Sequence, residues 1–80
     1  MTEIGPITPP PQAEIERVNA QLRGDMPAMA RDIYIVLWIL RELPLDDTVK
    51  KMALVNWCGR AGLRMRSEWV TYVTGRGHIE

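Results

Sequence analysis

IYIVLWIL, residues 33–40, is a run of eight apolar residues in a chain of 80. As a strand it is plausible locally, because Ile, Val, Tyr and Trp favour extended backbone. Its surroundings favour a helix. Ala28, Met29 and Ala30 precede it, Arg41 and Glu42 follow it, and all are good helix formers. Pro44 then ends the pattern, since the residue before a proline avoids helical geometry. The sequence therefore predicts a helix over about residues 26–43, with Asp25 as its cap. At 100° per residue, Met26, Met29, Ala30, Ile33, Val36, Leu37, Leu40 and Leu43 share a broad core face. Tyr34 and Trp38 remain on one flank, and Ile35 and Ile39 on the other. Only Arg31 and Glu42 make a clearly polar strip, with Asp32 set among apolar neighbours.

The rest of the chain reads as shorter helices. From Pro11 to Arg23, Ile15, Val18 and Leu22 form a narrow stripe, and Gly24 is a natural stop. Asp46 or Asp47 can cap a third helix running to about Cys58. In it Val49, Met52, Ala53 and Asn56 share one face, Trp57 lies on its flank, and Lys51 and Cys58 lie opposite. Gly59 and Gly62 break that pattern. A last helix is expected over Leu63 to Thr74, with Met65, Trp69, Tyr72 and Val73 as its stripe. WVTYVT also reads as a strand by propensity, but a lone strand has no partner here. Residues 1–10 contain Pro6, Pro9 and Pro10 and are expected to be a flexible tail, as are residues 76–80. Pro6–Pro9 spells PxxP without a flanking basic residue. The fold class expected is all-α: three to four short helices in one domain, residues 11–75, behind a disordered Pro-rich tail.

Composition narrows the function. Hydrophobic residues are 46% of the chain, enough for a core. Ten basic and ten acidic residues give zero formal charge, which removes an overall basic excess as an argument for nucleic-acid or membrane binding. The charge is polarised: residues 1–47 hold four arginines against eight carboxylates, and residues 48–80 hold six bases against two. A single cysteine, Cys58, allows no internal disulfide and suits a reducing compartment. No secretory leader is recognisable, and no run approaches the roughly 20 apolar residues of a membrane span. A cytoplasmic location is expected.

No constellation for catalysis is legible. A cysteine nucleophile needs a base, and the one histidine, His78, stands two residues before Glu80 in the expected tail. One His and one Cys do not make a zinc site. Gly59–Gly62 (GRAG) and Gly75–Gly77 (GRG) match no phosphate-binding fingerprint. The expectation is no enzyme activity, no cofactor, no metal and no small-molecule substrate.

Two function classes remain. The flanks of the second helix, Tyr34, Ile35, Trp38 and Ile39, exceed what three short helices are expected to cover. They therefore predict a protein interface, either in a homodimer or with another protein partner. On this reading the chain is a regulator, adaptor or inhibitor; its small size and lack of catalytic groups would also suit an inhibitor carried by a phage or mobile element. The alternative is a helix-turn-helix DNA-binding regulator using residues 48–74. There Lys50, Lys51, Arg60, Arg64 and Arg66 offer a basic contact surface.

Overall fold

The structure is a computed structural model that describes residues 9–75. These form four α-helices and one 3-10 turn, with no strand among them. They are α1 (Gln12–Leu22), a 3-10 turn (Ala30–Asp32), α2 (Ile33–Glu42), α3 (Asp47–Ala61) and α4 (Ser67–Val73). The all-α expectation holds, and WVTYVT is helical up to Val73. The tails expected at residues 1–10 and 76–80 lie, apart from Pro9 and Pro10, outside the described residues, as does His78.

The helix ends follow local chemistry. Pro11 stands just before α1, where a missing N–H costs nothing. Gly24, at φ +87°, turns the chain out of α1. The Asp25 N–H reaches back to the Ala20 carbonyl (2.8 Å) and the Gly24 N–H to the Gln21 carbonyl (3.0 Å). Gly62, at φ +73°, does the same for α3, with the Leu63 N–H on the Cys58 carbonyl at 2.9 Å. Both are the six-residue closure in which a left-handed glycine satisfies orphan carbonyls. Leu43, preceding Pro44, is extended and closes α2.

Three boundaries differ from expectation. The second helix does not begin at Met26. Pro27 biases Met26 away from helical geometry, and Met29 is extended, so helical structure starts at Ala30. Met26, Met29 and Ala30 are exposed rather than core, as is Leu43 at the extended far end of α2. Gly59 does not end α3, because a glycine only weakens a helix; the chain continues to Gly62. α4 starts at Ser67, so Leu63–Met65 belong to the connection.

α2 touches each of the other three helices, and this explains IYIVLWIL. A helix surrounded on most sides has little use for a polar face. Ile33, Val36, Leu37, Ile39 and Leu40 are buried, while Ile35 and Trp38 pack against the core from its edge. The core is completed by Val18 of α1, by Leu54, Trp57 and Cys58 of α3, and by Tyr72 and Val73 of α4.

A polar link runs through this core. Arg17 grips the Asp32 carboxylate with two parallel hydrogen bonds: Nη1 to Oδ2 at 2.9 Å and Nη2 to Oδ1 at 3.0 Å. Arg17 also meets Glu14. Gln21 Nε2 donates to Asp32 Oδ2 at 2.6 Å, and Trp57 Nε1 donates to Gln21 Oε1 at 3.3 Å. The orientation of the Gln21 amide is dictated: a carboxylate only accepts, and an indole N–H only donates. Asp32, Gln21 and Trp57 are buried, and every buried side-chain polar atom among the described residues has a partner. The Arg17 guanidinium, and next to it the Gln21 amide, hold the Asp32 carboxyl below the usual carboxylate range against the opposing effect of burial. Two smaller ties fix α2 to its neighbours. Lys50 Nζ donates to the Arg41 carbonyl (3.0 Å), and the Arg41 guanidinium stacks 4.6 Å from the centre of the Tyr72 ring.

Two outcomes follow for stability. Trp57→Phe keeps most of the packing but leaves Gln21 Oε1 without its donor, and should cost about 1–3 kcal/mol in urea unfolding. Trp57→Ala should cost about 3–5 kcal/mol and approach the whole stability of a domain this size. Equal losses for the two would remove the indole N–H from the account. The ionised Asp32 stabilises the fold above its unfolded pKa, and that contribution fades as pH falls through its lower folded value. Asp32→Asn should therefore be less stable than wild type at pH 7, and the gap should narrow below about pH 4. A gap constant from pH 7 to acid unfolding would contradict this.

Candidate interaction surface

The four α2 residues expected at an interface do not form one exposed face. Ile39 is 3% exposed, Ile35 and Trp38 are half-buried against the core, and only Tyr34, at 55%, stands in solvent. The premise that α1, α3 and α4 leave these flanks uncovered is corrected, because α2 is the central element and all three neighbours close on it.

Three of the exposed large apolar residues share one side of α3, while Met26, Met29, Tyr34, Leu43 and Leu45 are exposed elsewhere. Lys50, Leu54, Trp57 and Cys58 face the core, with Ala53 and Ala61 at its edge. On the opposite side Met52 is 65% exposed, Val49 45% and Val55 46%, and Asn56 and Gly59 are exposed beside them. The expected face of Val49, Met52, Ala53 and Asn56 is thus split, with Ala53 at the core edge and the other three outward, while Trp57 on its flank is core; of the opposite pair, Cys58 is inward and Lys51 is exposed. The outward side is shaped as well as apolar. One open depression is lined by Thr48, Lys51, Met52, Val55 and Asn56. Thr48 and Lys51 also line a second, between α3 and α4, together with Asp47, Val70, Thr71 and Thr74. The two share a rim and make a continuous relief on one side of the molecule.

The basic residues divide. Lys50 is removed from any contact surface: it is 8% exposed, with its ammonium on the Arg41 carbonyl. Lys51, Arg60, Arg64 and Arg66 are exposed. Lys51 lies nine residues before Arg60, roughly 13 Å along the helix axis. Arg64 and Arg66 sit in the Gly62–Arg66 connection rather than on the last helix, and Arg66 pairs with Glu68 at 3.5 Å. α4 has only seven residues, and its Thr71 and Thr74 hydroxyls are turned back onto the Ser67 and Val70 carbonyls.

No group of three or more His, Cys, Asp or Glu among the described residues is arranged to hold a metal ion. Cys58 is buried at the α3 core face, and desolvation pushes its thiol pKa up, away from the thiolate that nucleophilic chemistry requires. No described helix is long and apolar enough to cross a membrane. No protein-family model, curated protein or solved structure matches the chain.

The outward α3 face was within reach of the sequence. Apolar residues occur on two sides of this helix, so its periodicity supports two inward faces. Volume separates them, because Trp57 and Leu54 together bury more than Val49 and Met52. The burial of Cys58 is directly testable. In native conditions it should react with a thiol reagent far more slowly than in denaturant, and at a rate set by unfolding. A fast native reaction would place it at the surface.

Proposed function

We propose that this protein is a non-enzymatic protein-interaction module, working as a regulator, adaptor or inhibitor by occupying a partner's surface. The outward face of α3 is its contact surface. One observation carries the reading: Val49, Met52 and Val55 are about half exposed or more, side by side on the side of α3 opposite the core. Each leaves unused on the order of 1 kcal/mol of the free energy available from burial. A contiguous exposed apolar patch on a small domain is the usual mark of a binding surface. The buried free thiol of Cys58 suits a reducing, cytoplasmic setting.

The rival reading, DNA binding through residues 48–74, is supported by exposed Arg60, Arg64 and Arg66 around the α3–α4 connection. Against it stand the buried Lys50 and a candidate recognition helix of under two turns. One pair of experiments separates the readings. A photo-crosslinking residue at position 52 should give a protein adduct that Val49→Asp abolishes, and the same residue at position 16 on α1 should give none. Duplex DNA should show no binding at low salt. Salt-steep DNA binding lost in Arg64→Ala with Arg66→Ala, together with no adduct from position 52, would overturn the proposal.

A further inference from the structure

We infer that the outward face of α3 pairs with the same face of a second copy of this chain, antiparallel across a twofold axis near Ala53. This rests on the interaction reading above and names its partner. The spacing of the face suits helix pairing. Val49, Met52, Asn56 and Gly59 recur at intervals of three, four and three residues, the seam of a two-helix contact. Within the 15 residues of α3, Val49 to Gly59 is ten residue steps, so the seam is about 15 Å long.

Charge sets the direction. The start of α3 carries the exposed Asp46, and its far end the exposed Arg60. Neither forms an ion pair among the described residues. The Arg60 guanidinium lies beside the turn that follows α1, its Nη1 3.9 Å from where a Cβ on Gly24 would lie. A parallel copy would place Asp46 on Asp46, Lys51 on Lys51 and Arg60 on Arg60. An antiparallel copy centred at Ala53 brings Asp46 of each chain to Arg60 of the other, and aligns the helix dipoles favourably. The net charge of zero leaves no overall repulsion between two copies.

Gly59 supports the same register. Inside a helix it costs about 1 kcal/mol relative to alanine. Nothing in its own chain uses the space: a Cβ there would meet no atom within 4 Å. In the antiparallel pair Val49 of the second copy falls opposite this gap, so the absent side chain makes room for the apolar one.

The test is sedimentation equilibrium on the full chain from about 1 μM to about 1 mM, a range that spans weak and moderate dimers. The wild type should show a reversible monomer–dimer equilibrium. Met52→Glu should raise its dissociation constant about tenfold or more, by forcing carboxylates into an apolar contact. Its circular dichroism and melting should be unchanged at low concentration, since Met52 is 65% exposed. Asp46→Arg or Arg60→Asp alone should weaken the dimer roughly threefold to tenfold, and the double variant should recover most of the loss. A dimer indifferent to Met52→Glu overturns the proposed face, and a double variant no better than the singles overturns the antiparallel register. A monomer at all concentrations that still crosslinks to another protein from position 52 overturns self-pairing and keeps the interaction reading. A monomer with no such adduct overturns both.

Discussion

The fold depends on a carboxylate in the wrong company. Asp32 is buried at the start of α2 among apolar side chains, where an unpaired charge would be very costly. It is tolerated because Arg17 and Gln21, one turn apart on α1, both donate to it. Gln21 then has one amide oxygen left, and Trp57 of α3 supplies the donor. Three helices are thereby held in one register through a buried carboxylate, amide and indole that have their partners within this chain. Apolar packing supplies most of the driving force, but it is not directional. The polar chain selects among the packings that would bury similar area, because most of them would leave the carboxylate or the indole N–H unsatisfied.

Fixing α2 between α1 and α3 has consequences on both sides. The central helix is covered around most of its circumference, so its dense apolar run is largely interior, with Tyr34 in solvent. Trp57 and Leu54 turn toward that centre and carry α3 with them. The same rotation turns Val49, Met52 and Val55 outward, because they occupy the other side of the same helix. The exposed face of α3 thus follows from the choice of its inner face. A short domain with one central helix runs out of interior before it runs out of apolar residues.

Much of this was legible in the chain. Gly24, Gly62 and Pro44 mark ends by conformational restrictions that no tertiary context removes. Val18, Leu37, Leu40 and Val73 sit in stripes with a single apolar side, and they are core. Pro27 was legible too, and its bias on Met26 outweighs the weak periodicity through Met26 and Met29. Asp32 could be read only as an oddity, because its partners are 15 and 11 residues away on another helix. Lys50 looks like any surface base, and only the neighbouring end of α2, with a carbonyl to offer, draws it inside.

The sequence by itself determined an all-helical chain, where most of its helices end, and the absence of a legible catalytic constellation. These rest on backbone restrictions and on residue counts, which act locally. Tertiary structure decided which side of α3 faces inward, and with it which apolar residues remain in water. That choice is made by volume and hydrogen-bond complementarity between helices distant in the chain. A helix with two apolar sides cannot express the difference in its own periodicity.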